Sequence, residues 1–200
     1  MDRLPPAGDG ALAYVVGPSG AGKDTVLAGA RRRVGPRIRF ATRTITRPPS
    51  PSERNRSTTR EGFEAARLAG AFALWWEANG HRYGIGVEID DWLADGHVVV
   101  VNGSRAQLAA AAARYGSRLH PLLITARPKI LAQRLASRGR ESDQERADRL
   151  TRAGAVGRPD HERLHVIDNS GALEDAVASC TRFLEGLRPP RQVPPGERKG

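Results

Sequence analysis

The stretch Gly17-Pro18-Ser19-Gly20-Ala21-Gly22-Lys23-Asp24 constrains the fold more than any other part of the chain. It follows a short apolar run, Ala11 to Val16, that reads as a buried strand. It precedes Lys23 to about Arg33, whose composition suits a helix ended by Gly35-Pro36. Glycines at these places let the backbone curl so that successive N–H groups face inward and form an anion nest. The N-terminus of the following helix brings its positive dipole end to the same point. Lys23 adds a point charge suited to the outer phosphates of a nucleotide. Only three lysines, at positions 23, 129 and 199, occur among 32 basic residues, so a lysine at this place is informative. Gly17, Pro18, Ser19, Gly20, Ala21, Gly22, Lys23, Asp24 and Thr25 are the expected nucleotide-binding residues, and ATP the expected nucleotide.

The loop departs from G-x-x-x-x-G-K-[ST] at its last position, where Asp24 replaces a magnesium-binding hydroxyl. A carboxylate beside a triphosphate repels it unless a cation intervenes, and hard oxygen ligands suit Mg²⁺. Asp24 is therefore the expected metal ligand, directly or through water. Capping of the helix is the competing role, and Thr25 is an alternative source of a hydroxyl.

Further along, Ile38 to Ile45 reads as a strand, and Arg47 to Arg60, crowded with Pro, Ser, Asn and Thr, as a long substrate-facing loop. Glu61 to Ala69 reads as a helix, Phe72 to Trp76 and Arg82 to Gly84 as strands, and Val87 to Ala94 as a helix. His97 to Val101 is the clearest buried strand. Gln107 to Arg114 reads as a helix, Leu119 to Thr125 as a strand and Pro128 to Ser137 as a helix. A charged stretch from Arg138 to Arg149 leads to Gly154 and Gly157, followed by a strand at Leu164 to Ile167 and a helix at Leu173 to Leu187. Strands alternating with helices predict a mostly parallel sheet covered on both faces. The expected organisation is a disordered N-terminus over 1–10, one domain over 11–187 and a disordered basic tail over 188–200.

With these residues in view, the chain from about Tyr14 to Ala176 resembles the guanylate kinase-like kinases. The loop Gly-Pro-Ser-Gly-Ala-Gly-Lys is their form of the P-loop. Thr46-Arg47-Pro48-Pro49 followed by Glu53 resembles their acceptor-phosphate segment, and Phe72 to Tyr83-Gly84 their segment ending in Tyr-Gly. Arg134-Leu135, Arg138-Gly139 and Arg149-Leu150 have the spacing of their lid arginines, and Asn169 falls where that family approaches the adenine. The resemblance implies an α/β P-loop NTPase fold with a central, mostly parallel sheet flanked by helices and a small lid over about 138–149.

The departures bear on the substrate. Guanylate kinases read guanine with a Glu two residues after that phenylalanine, with a Thr directly after Tyr-Gly, and with a serine. Those places hold Leu74, Ile85 and Arg43. A site built to hydrogen-bond a base edge loses orders of magnitude once its polar partners are gone. The family's sheet aspartate, near the magnesium, falls at Val100, so one carboxylate is lost from the sheet while one is gained at Asp24. The loop, Ile45-Thr46-Arg47-Pro48, Tyr83-Gly84, Asn102-Gly103-Ser104-Arg105 and Arg138-Gly139-Arg140-Glu141-Ser142 together resemble the ribose 1,5-bisphosphate phosphokinases of bacterial phosphonate metabolism. That implies ATP plus ribose 1,5-bisphosphate giving ADP plus 5-phospho-ribosyl 1-diphosphate.

The residues suit such chemistry. A phosphate monoester is largely dianionic near neutrality and needs no general base, which agrees with the absence of a His/Asp pairing. Lys23, Arg134, Arg138 and Arg149 are the expected catalytic residues, with Arg140 as a further candidate. Arg43, Arg47, Glu53, Tyr83 and Arg105 are the expected substrate-binding residues, the arginine forks matching phosphate oxygens and Glu53 either holding an arginine in place or forming a loop salt bridge without function. The three tryptophans, Trp75, Trp76 and Trp92, read as core or pocket wall, and the five histidines show no metal-ligand spacing.

The net charge of +10 suits polyanionic small molecules as well as nucleic acid. The tail accounts for part of it, with Arg188, Arg191, Arg198 and Lys199 against Glu197. Without a recognition motif or an aromatic-interleaved stripe, the expected partners are a sugar phosphate and ATP rather than nucleic acid. A lone cysteine, Cys180, forbids an intrachain disulfide and suits a reducing compartment. No stretch approaches the roughly 18 apolar residues that span a membrane, so a cytoplasmic location is expected. A homodimer is compatible with the sequence. Two other functions remain open at this level: a guanylate kinase acting on GMP, and a catalytically silent guanylate kinase-like interaction module.

Overall fold

A computed structural model describes residues 10–48, 55–136 and 158–187. Its centre is β1 (Ala11–Val16), whose six residues are all buried. Alternate side chains of a strand leave opposite faces, and here both faces are covered. Ala11, Ala13 and Val15 join one core with residues of α1 (Lys23–Arg31) and α6 (Leu173–Gly186), whereas Leu12, Tyr14 and Val16 join another with α3 (Glu88–Ala94) and α4 (Leu108–Tyr115). The continuous apolar run is thus the signature of a strand buried on both sides.

Five strands form the central sheet in the order β2-β7-β1-β8-β9, every pair parallel. They are β2 (Ile38–Phe40), β7 (Val98–Asn102), β1, β8 (Leu119–Thr125) and β9 (His165–Asp168). The chain leaves β1 towards one side and returns to the other, so β1 lies between β7 and β8. The crevice outside the carboxyl ends of strands at such a reversal is where open α/β sheets bind ligands. The glycine-rich loop, the end of β7 at Asn102 and the turn after β9 at Asn169 all lie at that end.

The predicted strand Ile38 to Ile45 is two strands in two sheets. β2 pairs with β7, whereas β3 (Arg43–Ile45) belongs to a second, four-stranded sheet ordered β4-β3-β6-β5. Ala41 closes the first sheet with a bond from its N–H to the Val100 carbonyl, after which the chain crosses over. β5 (Phe72–Ala78) and β6 (His81–Gly86) form an antiparallel hairpin, each longer than expected, around Asn79-Gly80, both at positive φ. The predicted loop 47–60 contains a further strand, β4 (Asn55–Ser57), parallel to β3. Leu74, Trp76 and Ile85 of the second sheet share the apolar cluster of Leu12, Tyr14, Val99 and Val101. The second sheet is therefore packed onto one face of the first by burial, with Leu74 7% and Ile85 0% exposed.

The remaining elements end near their expected positions, α2 (Arg60–Leu68) being capped by Thr59, whose Oγ1 accepts from the Gly62 N–H. α5 (Pro128–Ala136) starts on proline at its first turn. Among the described residues no helix is long and apolar enough to cross a membrane. The expected lid over 138–149, the N-terminal residues 1–9 and the tail 188–200 lie outside the described residues.

Candidate active site

The loop between β1 and α1 closes on itself. Lys23 Nζ donates to the carbonyls of Gly17 at 2.7 Å and Pro18 at 3.0 Å, so its ammonium lies across the loop. Gly22 precedes the helix at φ 80°, a left-handed position that a side chain strains. A Cβ there would also stand 2.5 Å from Asn169 Nδ2. That amide is the loop's anchor: Asn169 Nδ2 donates to the Ala21 carbonyl at 2.8 Å, and its backbone N–H donates to the Thr125 carbonyl at 2.7 Å. Arg134 Nη2 donates to the Asn169 carbonyl at 2.9 Å. Asn169 is 2% exposed, so in this geometry it holds the loop from beneath. Arg134, on α5, is brought to the same turn.

Asp24 sits in the first turn of α1, where negative charge suits the positive helix end. The N-cap position is Gly22, which has no side chain to cap the helix. Asp24 Oδ1 accepts from Asn102 Nδ2 at 2.8 Å and lies 3.5 Å from Arg43 Nη2. The carboxylate is 48% exposed beside Lys23 and can be reached by a cation from solvent. Among the described residues no group of three or more His, Cys, Asp or Glu side chains could hold a metal. The single, half-exposed carboxylate of Asp24 fits Mg²⁺, which keeps several waters and binds through one or two carboxylates plus substrate phosphates.

The segment after β7 is stitched to β1. Tyr14 Oη donates to the Ser104 carbonyl and accepts from the Ser104 N–H, both at 3.1 Å. The Gly103 N–H donates to the Val15 carbonyl at 2.9 Å, and a Cβ on Gly103 would fall 2.1 Å from the Tyr14 ring. Only glycine lets the turn approach so closely. Burial pushes the Tyr14 hydroxyl up to about 12. Arg105 follows in a short 3₁₀ turn, where partial burial lowers its pKa.

Arg43, Ile85 and Leu74 form one row across the second sheet: Arg43 pairs with Ile85, and Ile85 with Leu74. These are the three places where the resemblance sets guanine-reading side chains. Two of them are buried hydrocarbon, and the third carries a guanidinium turned to Asp24. Tyr83 lies on the same strand, two residues from Ile85, and stacks on Trp76 with centroids 5.5 Å apart. Trp76 is core, as expected, whereas Trp75 is 42% exposed under the Arg67 guanidinium. Arg47 follows β3 by two residues. Glu53, Arg138, Arg140 and Arg149 lie outside the described residues.

No protein-family model matches the chain. Individual proteins do. It is 52% identical over 177 residues to the "Ribose 1,5-bisphosphate phosphokinase PhnN" of Burkholderia pseudomallei, covering 88% of this chain and 96% of that one. The chain belongs to the ribose 1,5-bisphosphate phosphokinase PhnN family. Another PhnN, from Chromobacterium violaceum, is 46% identical over 180 residues, covering 90% of this chain and 96% of the relative. Among solved structures, a guanylate kinase from Anaplasma phagocytophilum superposes with a TM-score of 0.66 over 92% of this chain and 89% of its own, at 15% identity. That likeness is one of fold. The PhnN chain here thus has a guanylate kinase-like α/β architecture and is a kinase.

Sequence reasoning missed two residues of this PhnN site. Asn102 stood out only as part of a four-residue motif, and nothing in a lone asparagine announces contact with a residue 78 positions away. Tyr14 looked like one more apolar residue of a buried strand. Its position before the loop, opposite a glycine after another strand, becomes meaningful only once β1 and β7 are paired.

Proposed function

We propose that this protein transfers the γ-phosphate of ATP to the anomeric phosphate of ribose 1,5-bisphosphate, with Mg²⁺ as cofactor, giving ADP and 5-phospho-ribosyl 1-diphosphate. The observation that carries the reading is the Arg43–Ile85–Leu74 row: a cation and two buried hydrocarbons where a base edge would need polar partners. An acceptor with two phosphates and no base is suited to that surface.

An oxygen of the acceptor phosphate attacks the γ-phosphorus, and the bond from that phosphorus to the β–γ bridging oxygen breaks. The nucleophile is already anionic, so the residues have to align two anions rather than remove a proton. The nest of Gly17 to Gly22 holds the donor phosphates, and Lys23 leaves its two loop carbonyls to pair with them. Arg134, fixed at the Asn169 carbonyl, is within the same end of the sheet, and Arg138 and Arg149 complete the cationic set. Asp24 would hold the Mg²⁺, which when bound offsets charge on the β- and γ-phosphates. Arg43, Arg47, Tyr83 and Arg105 receive the acceptor, with Glu53 orienting an arginine.

A coupled assay of ADP release tests the reading, comparing ribose 1,5-bisphosphate with GMP under ATP and Mg²⁺. Turnover with the sugar bisphosphate and at most a trace with GMP is expected. Preferred turnover of GMP would overturn it in favour of a guanylate kinase, and failure to bind ATP–Mg²⁺ would indicate a silent module.

A further inference from the structure

The exchange of carboxylates between sheet and loop has a third participant. Val100, where the resemblance places a sheet aspartate, is 1% exposed and packed in the apolar cluster beneath α1. Asn102 is two residues on, so it leaves the sheet on the same face, one step nearer the crevice. Its pairing with Val15 sets it beside the last residues of β1, immediately before the loop. The polar group of β7 has moved along the strand to meet the carboxylate on α1.

Chemistry fixes which way this amide faces. An ionised carboxylate only accepts, so the NH₂ must be the end turned to Asp24, as the 2.8 Å bond from Nδ2 to Oδ1 has it. The amide oxygen then lies about 2.2 Å from that nitrogen, by standard amide bond lengths. This Oδ1 is buried and, among the described residues, has no hydrogen-bond partner. A buried carbonyl left without a donor beside a carboxylate at the mouth of a phosphate loop is an acceptor awaiting one.

We propose that Asn102 is a positioning residue of the metal site: its Oδ1 accepts a hydrogen bond from a water in the shell of the magnesium that Asp24 holds. This rests on the reading of Asp24 as the metal's carboxylate. Magnesium gives up its waters reluctantly, and losing an outer-shell partner of a metal site typically costs about 10- to 100-fold in metal affinity. The pair explains how a PhnN chain without the sheet aspartate keeps two oxygen-bearing side chains at one place.

The test uses Mn²⁺ as a spin probe and the β,γ-imido analogue of ATP, with the full chain and paramagnetic resonance of free Mn²⁺ as readout. Asn102→Leu keeps the bulk and removes the oxygen, whereas Asn102→Asp keeps an oxygen and removes the N–H donor. Weakening of Mn²⁺ in the ternary complex by about tenfold or more is expected for Asn102→Leu, with affinity for the metal-free analogue unchanged. Asn102→Asp should bind Mn²⁺ within a few-fold of the parent. Parent-like Mn²⁺ affinity in a folded Asn102→Leu overturns the proposal, as does equal loss in both variants, which would reduce Asn102 to a partner of Asp24. Asp24→Ala separates the two levels. If it too binds Mn²⁺ like the parent, the reading of Asp24 has failed; if it alone weakens Mn²⁺, only the role of Asn102 has.

Discussion

Arg43 and Asp24 form an ion pair between the two sheets' territories, with Nη2 3.5 Å from Oδ1. One residue lies on β3, in the second sheet, and the other on α1, directly after the glycine-rich loop. The pair is partly exposed, so as a stabilising contact it contributes little, about 0–1 kcal/mol. On the proposed reading its interest is functional: ligands of opposite charge would replace the pair, Mg²⁺ at Asp24 and phosphate at Arg43.

Replacing Arg43 with Met should therefore act on the acceptor. A charge-assisted hydrogen bond to phosphate contributes about 1.5–3 kcal/mol, so KM for ribose 1,5-bisphosphate should rise about tenfold or more. KM for ATP should move less. Steady-state kinetics with each substrate varied in turn checks this, and an unchanged acceptor KM would remove Arg43 from the substrate site.

Lys23→Met should fold normally and turn over poorly. In the structure Lys23 contributes two bonds to loop carbonyls, which water can replace at this partly buried place. On the proposed reading it meets charge that develops on the transferred phosphate, and removing one such group typically costs about 100- to 1000-fold in kcat. Thermal melting within a few degrees of the parent, with kcat reduced by that order, is the expected pair of results.

How much of this was legible in the sequence follows from what each residue reports. Leu119 to Thr125 shows its strand in its own composition, and the structure ends it at the same residues. Gly17 to Lys23 shows its role because the spacing of glycines is itself the geometry of the nest. Ile38 to Ile45 misleads because a local apolar pattern carries no information on which partner strand it will find, and here two partners in two sheets divide it. Asn55–Ser57 is polar throughout and mostly exposed, so the strand it forms against β3 has no hydrophobic signature. Asn102 is legible only through register: a contact across 78 residues exists because β7 pairs beside β1.

Asn169 separates two roles by nucleotide preference. The resemblance sets it near the adenine, whereas the hydrogen bond to the Ala21 carbonyl makes it an anchor of the loop. An anchor serves every triphosphate equally. Asn169→Ala should weaken ATP and GTP by a similar factor and lower the melting temperature, because the Ala21 carbonyl loses its donor. A selective loss of ATP over GTP in the same competition assay would instead give Asn169 a part in reading the base.

Tyr14→Phe probes the turn that carries Asn102 and Arg105. The hydroxyl both donates to and accepts from Ser104, so its removal leaves a backbone N–H and a carbonyl to find other partners, at about 1–3 kcal/mol near neutrality. The parent should lose this advantage in alkali. Burial raises the hydroxyl from 10.0 to about 12, so the folded state favours the protonated phenol more than the unfolded chain does. That stabilisation is fully present below about pH 10 and disappears as pH rises through about 12. Tyr115 and Cys180 are also raised by burial, but both proteins contain them and their effects cancel in the difference. Urea denaturation of the two proteins from pH 7 upward should show the variant less stable, with the gap narrowing above pH 10. A gap that stays constant through that window would mean that the Tyr14 hydroxyl titrates alike in the folded and unfolded states.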